Sequence, residues 1–409
     1  MLILHVILRR TLEEVIMSQR DELTRTSSGI HREVFDYVIS DIPHSIIISG
    51  IRRCGKSTLL RQIMQRSESP NYLNFEDTRL VEFESSDFGK LDSVFSDLGN
   101  KSGTYFLDEI QSVENWEIYV RSGMDKNRKF FLTGSNASLL TREIGSKLTG
   151  RHVNVELFPF SYSEYLLYKG LEAGRESFER YLFTGGFPEY LKYGEEAILR
   201  ELMTDIVQRD IVARYGLRDS HIIAELAFYM VTNVSREFSY NKLKDVFDLG
   251  SVNTAKSYVS YLEDSYILFS VPNFQFSLKK RMMNPRKVYC IDNGFAKANS
   301  VSFSSDSGRM LENCVFLLLR RKNRNIFYYK GKGECDFVVW NAGTITAAIQ
   351  VTYELNEDNR RREIGGLVEA MDKFNLASGT IVTVDQADTL NIGGKVISVV
   401  PAWEAFRDV

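Results

Sequence analysis

Four cysteines stand far apart in this 409-residue chain, at Cys54, Cys290, Cys314 and Cys335, and no CxxC pair occurs. The five histidines do not gather around them. A disulfide framework and a structural zinc site are therefore not expected, and a reducing, cytoplasmic setting fits better. No uncharged run reaches the ~18 residues of a membrane span. The opening MLILHVIL covers eight residues and is followed by Arg9 and Arg10, the reverse of signal-peptide order. It reads as an ordinary strand or helix, with Met17 as an alternative start. An excess of one charge is missing too. Lys plus Arg is 51 and Asp plus Glu is 54, a net of −3. That excludes a uniformly basic nucleic-acid binder but not a local basic face. With 44% apolar residues, 27 glycines and seven prolines, the chain is neither disordered nor collagen-like.

At roughly 150 residues per domain, the length suggests two or three domains. Residues 1–34 form a lead-in, with a helix region over 11–40. Short β-branched or aromatic runs at 44–49, 72–75, 104–107, 129–133 and 153–157 alternate with helical spacing, so 35–160 reads as a parallel α/β sheet. Residues 161–219 read as a helical extension, broken at Gly185-Gly186-Phe187-Pro188. Three helix patterns and a strand over 220–275 outline a winged helix-turn-helix. Residues 276–409 alternate short strands with helices at 310–321 and 361–374, a separate mixed α/β domain.

Gly50-Ile51-Arg52-Arg53-Cys54-Gly55-Lys56-Ser57 matches GxxxxGK[ST], a pattern with a chance on the order of one in a hundred in a chain this long. An apolar strand precedes it and an amphipathic helix follows, as a phosphate loop requires. Its glycines let backbone N–H groups converge on phosphates at the positive end of a helix. Lys56 faces the β/γ-phosphates of ATP, the Ser57 hydroxyl is a hard ligand for Mg²⁺, and Thr58 completes the loop. The strand Thr104-Tyr-Phe-Leu ends in Asp108-Glu109. Asp108 is the Mg²⁺ ligand, directly or through water, and Glu109 the general base for the attacking water. The next strand ends in Thr133-Gly134-Ser135-Asn136. A polar side chain there, Ser135 foremost, can orient that water; the alternative is a turn that caps the following helix. Arg151 is a candidate cation for transition-state charge, in cis or across a subunit interface, or a plain surface arginine.

These pieces, GIRRCGKSTLL, YLNFED, YFLDEIQ, FFLTGSNASLL and LTGRHVNVELFPFSYSEYL, resemble the AAA-type ATPases of archaea and bacteria. With FTGGFPEYL and a nuclease-like C-terminal domain of unknown function, the resemblance covers nearly the whole chain. It implies a five-stranded core sheet with the phosphate-loop strand central. It also implies that Asn74, ending the second strand, holds Glu109 off until a ligand binds, with Asp77 a rival for that role. The second arginine sensor of the family's helical lid has no match.

In the last third, residues 284–292 and 308–313 resemble restriction-endonuclease-like domains. Such nucleases arrange a helix Glu, a strand Asp and a Glu-x-Lys around metal. Here Glu312, Asp336 and Gln350-Val-Thr352 fall at those places, with Glu334 a spare carboxylate. Gln350 is a neutral ligand and Thr352 cannot replace lysine, so a degenerate, binding fold is expected rather than a nuclease. Residues 279–332 carry 13 Lys or Arg against 3 Asp or Glu. Beside a winged helix, this is a candidate double-stranded-DNA face; the alternative is a solvated or interdomain surface. Three functions follow: a cytoplasmic ATPase whose cycle controls a DNA-contacting C-terminal half, a slowly hydrolysing switch for a protein partner or homo-oligomer, and an ATP-gated metal nuclease.

Overall fold

A computed structural model describes residues 7–25, 29–39, 44–99, 103–135, 148, 151–300 and 306–406. The opening hexapeptide, Pro43 and Asn136, all part of the sequence reading, lie outside the described residues. The chain divides into two compact units, Met1–Leu157 and Phe158–Val409.

The first unit holds five parallel strands in the order β2-β3-β4-β1-β5: β1 Ser45–Ser49, β2 Asn71–Asn74, β3 Thr104–Asp108, β4 Lys129–Gly134 and β5 His152–Glu156. All five positions of β1 are buried. A parallel strand covered on both faces needs apolar side chains on both, hence its unbroken Ile46-Ile47-Ile48. The phosphate-loop strand is not central, as the resemblance implied. It is second from an edge, between β4 and β5, and β4 takes the middle. A residue at the end of β4 therefore stands between the loop after β1 and the carboxylates after β3.

The lead-in is not helical to residue 40. The helix Arg9–Arg25 ends well before, and a single turn, Phe35–Val38, follows. Leu12, Val15, Ile16 and Gln19 are its buried face, the i, i+3, i+4, i+7 spacing of an amphipathic helix. Gln19 then completes the open edge of β2. Its Nε2 donates to the Asn74 carbonyl at 3.1 Å, and Asn74 N–H donates to Gln19 Oε1 at 2.9 Å. One side chain thus satisfies both backbone groups that an edge strand leaves unpaired.

The second unit begins with helices Tyr162–Lys169, Arg175–Thr184, Pro188–Tyr193 and Glu196–Asp205, the last continuing as a π-helical stretch Ile206–Ala213. Next come the helix Ser220–Thr232, β6 Glu237–Phe238, helices Tyr240–Val246 and Val252–Asp264, β7 Leu268–Pro272 and β8 Arg286–Cys290. The three strands form an antiparallel sheet, β6-β8-β7, which runs through the boundary expected at 275. The rest is a six-stranded mixed sheet, β13-β14-β12-β11-β10-β9, made of β9 Ile326–Lys330, β10 Glu334–Asn341, β11 Thr344–Val351, β12 Ser378–Thr383, β13 Asp388–Ile392 and β14 Lys395–Pro401. Helices Ser307–Lys322 and Glu357–Phe374 accompany it.

Buried Asp292 ties the FTGGFPEYL turn to this unit. Its carboxylate accepts from Gly186 N at 2.6 Å and from Phe295 N at 2.9 Å. No helix among the described residues is long and apolar enough to cross a membrane.

Candidate functional site

Where β1 ends, the chain turns through Gly50 to Gly55 into the helix Lys56–Met64. A Cβ on Gly50 would lie 2.1 Å from the Leu157 carbonyl oxygen, and Gly55 has φ +101°, a conformation glycine adopts at no steric cost. Cys54 is buried and its Sγ donates to Leu157 O at 3.4 Å. Burial pushes its thiol up, so Cys54 packs the loop rather than acting as a nucleophile.

Lys56 is 4% exposed. Its ammonium donates to the carbonyls of Gly50 (3.1 Å) and Ile51 (3.2 Å) and lies 3.6 Å from Glu109 Oε1. Burial disfavours its charge, but Glu109, Cys54 and Asp108 outweigh that and raise its pKa. Asp108 closes β3 fully buried. Burial first, then the charge of Glu109, push its carboxyl up to about 6, against hydrogen bonds from Thr133 and Ser57 and the charge of Lys56. A carboxylate raised this far gains from an added cation, and with the Ser57 hydroxyl it offers the hard oxygens that suit Mg²⁺. No group of three or more His, Cys, Asp or Glu among the described residues is arranged to hold a metal alone. Magnesium at a phosphate site needs none, because phosphate and water fill its remaining positions.

The central position of β4 now has its consequence. Thr133 Oγ1 donates to Asp108 Oδ1 and accepts from the Glu109 backbone N–H at 2.9 Å. One hydroxyl therefore fixes both carboxylate residues. Glu109 has φ 51° and ψ 45°, a left-handed conformation uncommon outside glycine, and its carboxylate is held by Gln111 Nε2 and Lys56. Ser135 is buried beyond Thr133, and its hydroxyl finds no hydrogen-bond partner among the described residues. A cleft of about 320 Å³ opens here, lined by Gln19, Ser57, Tyr72, Asn74, Asp77 and Asp108 among others.

Two expected residues stand elsewhere. Asn74 makes no hydrogen bond to Glu109; its Oδ1 accepts from Glu76 N at 2.9 Å. Gln111, not Asn74, donates to the Glu109 carboxylate, and Asp77 is engaged by Arg79 at 2.7 Å. Arg151 precedes β5 level with the start of β1, because Ser45 pairs with His152. The loop leaves the other end of β1, on the order of 15 Å away at 3.3 Å per residue. Arg151 pairs with Asp125 at 2.7 Å on the surface, away from the phosphate loop of its own chain. Of the loop's own residues, Arg52 lies 3.2 Å from Glu76 and Thr58 Oγ1 accepts from Arg61 at 3.3 Å. Sequence reasoning missed Arg32, buried over the loop with its guanidinium donating to Cys54 O at 3.0 Å. Nothing in the lead-in's pattern marks it.

Lys56→Ala is expected to weaken ATP binding roughly 10- to 100-fold, the worth of one charged hydrogen-bonding contact. Titration calorimetry reads this directly, and unchanged affinity would sink the phosphate-loop assignment.

The second unit holds another charged cluster. Lys287 on β8 is 4% exposed, and its Nζ lies 3.1 Å from Glu312, 2.7 Å from Glu334 and 2.8 Å from Asp336. Tyr289 OH donates to Glu312 at 2.7 Å. The cation that Thr352 could not supply thus arrives from a strand of the three-stranded sheet. Gln350 donates to Glu363 at 2.6 Å, and Thr352 Oγ1 donates to Glu354 O at 3.1 Å. Burial above all pushes Glu312 up to about 7 and Asp292 up to about 6. Both folded values exceed their unfolded ones, so the folded unit gains protons as pH falls from about 7 to about 5, and stability rises through that window. Glu334 and Asp306 are depressed. Their contributions fade only below the ordinary carboxylate values of 4.5 and 3.8. The urea midpoint of this unit should accordingly be higher at pH 5.5 than at pH 7.5; the opposite trend would refute the burial argument.

Part of the charge of the basic segment 279–332 is engaged within the chain. Lys287 is buried, Arg281 donates to Gln275 O at 2.8 Å, and Arg321 donates to Pro159 O at 2.6 Å. Lys297, Arg309 and Lys330 pair with Glu196, Asp306 and Glu237. Lys279 and Lys280 remain exposed.

An AAA domain profile matches residues 43–166, and a domain of unknown function matches residues 175–305. An uncharacterized protein of Methanocaldococcus jannaschii is 32% identical, over 96% of this chain and 94% of its own length. An uncharacterized Haemophilus influenzae protein is 28% identical, over 87% and 93%. Among solved structures, the Thermotoga maritima RuvB Holliday junction branch migration motor overlaps at TM-score 0.31 and 14% identity, covering 64% of this chain and 94% of that one. AMPPCP-bound DnaA from Aquifex aeolicus overlaps at 0.28 and 16%, covering 56% and 86%. Residues 43–166 are thus an AAA domain with a phosphate loop, and the chain belongs to one family with the M. jannaschii protein.

Proposed function

We propose that the chain binds Mg-ATP in its Gly50–Ser57 loop and hydrolyses it to ADP and phosphate, and that this cycle governs double-stranded-DNA contact by the C-terminal half. The observation that carries the ATPase reading is the convergence of Lys56, Asp108, Glu109, Thr133 and Ser135 at the carboxyl ends of β1, β3 and β4. Magnesium, when bound, supplies positive charge to the phosphate oxygens. Lys56 would leave its loop carbonyls for the β/γ-phosphates, and Ser57 and Asp108 would furnish the metal's protein oxygens. Thr133 holds Asp108 and the Glu109 backbone in register. Glu109 takes the proton of the attacking water, and the unpartnered Ser135 hydroxyl orients that water. Arg151 takes no part in the site of its own chain; its remaining role is a cation supplied across a subunit interface.

The order helix, β6, helix, helix, β7, β8 supports a winged-helix reading of the segment that starts at Ser220. In it, the helix Val252–Asp264 shows solvent Asn253 and Lys256, side chains suited to base edges and phosphates. A gated nuclease is disfavoured, because Gln350 offers a metal no charge and its amide is engaged by Glu363. A slow switch is the second reading. The Lys56–Glu109 pair favours it, since the two must part before either meets substrate.

Phosphate release from ATP, followed with Mg²⁺ and with EDTA, tests the proposal. Sustained Mg²⁺-dependent turnover supports the ATPase. Tight ATP binding with turnover below about one per hour would favour the switch (enzymes commonly reach 1–10³ s⁻¹).

A further inference from the structure

Large exposed apolar side chains concentrate in one hairpin of the second unit. Between β7 and β8 the chain forms the short helix Leu278–Met283, which has no buried residue. Phe276, Leu278, Met282 and Met283 are 66–74% exposed, and Lys279 and Lys280 are exposed among them. No Asp or Glu occurs from Pro272 to Ile291.

The root of this hairpin is fixed while its tip is bare. Phe274 is buried, its N–H donates to Tyr328 O at 2.7 Å, and Tyr328 OH donates to Pro285 O at 2.8 Å. One strand thus staples both ends of the connection. Arg281 closes it from within, its guanidinium 4.7 Å from the Phe327 ring and 5.3 Å from the Phe274 ring. The root is thus packed while the apolar tip stays exposed. Past the root, exposed Lys256 and half-buried Arg286 approach the same Tyr240 ring, at 5.7 and 5.9 Å, and Arg286 also donates to Ser270 Oγ at 3.0 Å.

We infer that this tip is a wedge for the minor groove of duplex DNA, with the apolar side chains against base steps and Lys279 and Lys280 on the flanking phosphates. The inference rests on the DNA-contacting reading above. Phe, Leu and Met are the side chains that unstack and kink base steps, and cations beside them hold the bent backbone. The exposed Lys279 and Lys280 suit a polyanion. The Lys256–Tyr240–Arg286 band joins the tip to the helix Val252–Asp264, so one duplex can meet both. A six-residue helix offers too little apolar length for a membrane-surface anchor, which runs to several turns.

The test uses the full chain and an end-labelled duplex, with energy transfer between the ends reporting bending and fluorescence anisotropy reporting binding. Wild type should bind and shorten the end-to-end distance. Leu278→Ser/Met282→Ser/Met283→Ser should bind more weakly with an unchanged salt slope and leave the duplex straight. Lys279→Ala/Lys280→Ala should reduce the log–log salt slope by about 2, at roughly 0.9 per phosphate contact. Binding with no bending, or bending unchanged in the triple-serine variant, overturns the wedge and leaves the DNA reading standing. No binding by wild type overturns both. Binding to vesicles of anionic phospholipid in preference to duplex reassigns the tip to a membrane.

Discussion

Glu109→Gln is expected to bind Mg-ATP like the wild type and to hydrolyse it at least ~100-fold more slowly, the lower scale of a lost general base. Glutamine keeps the shape of the side chain and an oxygen for the Gln111 amide, so the left-handed turn at Glu109 and the Thr133 contact to its backbone should survive. What goes is the basicity, and with it the charge 3.6 Å from Lys56. Losing that attraction frees Lys56 for phosphate, so affinity should not fall. Single-turnover kinetics beside equilibrium binding separates the two effects. Unchanged turnover would pass the role to another carboxylate lining the cleft, Glu76 or Asp77.

Lys287→Met should be the most damaging single change in the second unit. It leaves Glu312, Glu334 and Asp336 around an uncharged stem, and removing one partner from a buried ion pair costs roughly 3–5 kcal/mol. Glu334 is 37% exposed at its side chain and can turn to water, so most of the loss falls on Glu312 and Asp336. Chemical denaturation measures it. Two rescues are expected: low pH, as Glu312 takes up a proton, and Glu312→Gln in the same chain, which removes one unpaired charge. A loss below about 1 kcal/mol, the scale of exposed ion pairs, would mean that the cluster is far wetter than its burial indicates.

The first unit was legible because its chemistry is local. Gly50, Gly55, Lys56 and Ser57 lie within eight residues, and Asp108-Glu109 ends an apolar strand, so spacing alone places them. Strand positions agree within about two residues for the same reason: each run of Ile, Val, Leu or Phe is bounded by a turn. What failed is what depends on contacts distant in sequence. Gln19 meets Asn74 across 55 residues, Arg32 meets Cys54 across 22, and Lys287 meets Asp336 across 49. No periodicity encodes such pairs. A cis role for Arg151 fails because adjacency to a strand says nothing about which end of the sheet it occupies. The net +10 of residues 279–332 overstates the free charge, because it is counted along the chain while several of those cations have partners within it. β13 escaped notice because its Asp388-Thr-Leu-Asn-Ile392 lies at a sheet edge and is largely exposed, so it carries no apolar run.

Turnover of Mg-ATP by the full chain, with and without duplex DNA and with oligomer size recorded in parallel, tests the central claim most directly. The account predicts Mg²⁺-dependent phosphate release that rises when duplex is added and is lost in Lys56→Ala. Turnover that persists in Lys56→Ala, or that is indifferent to DNA at every salt concentration, would contradict it.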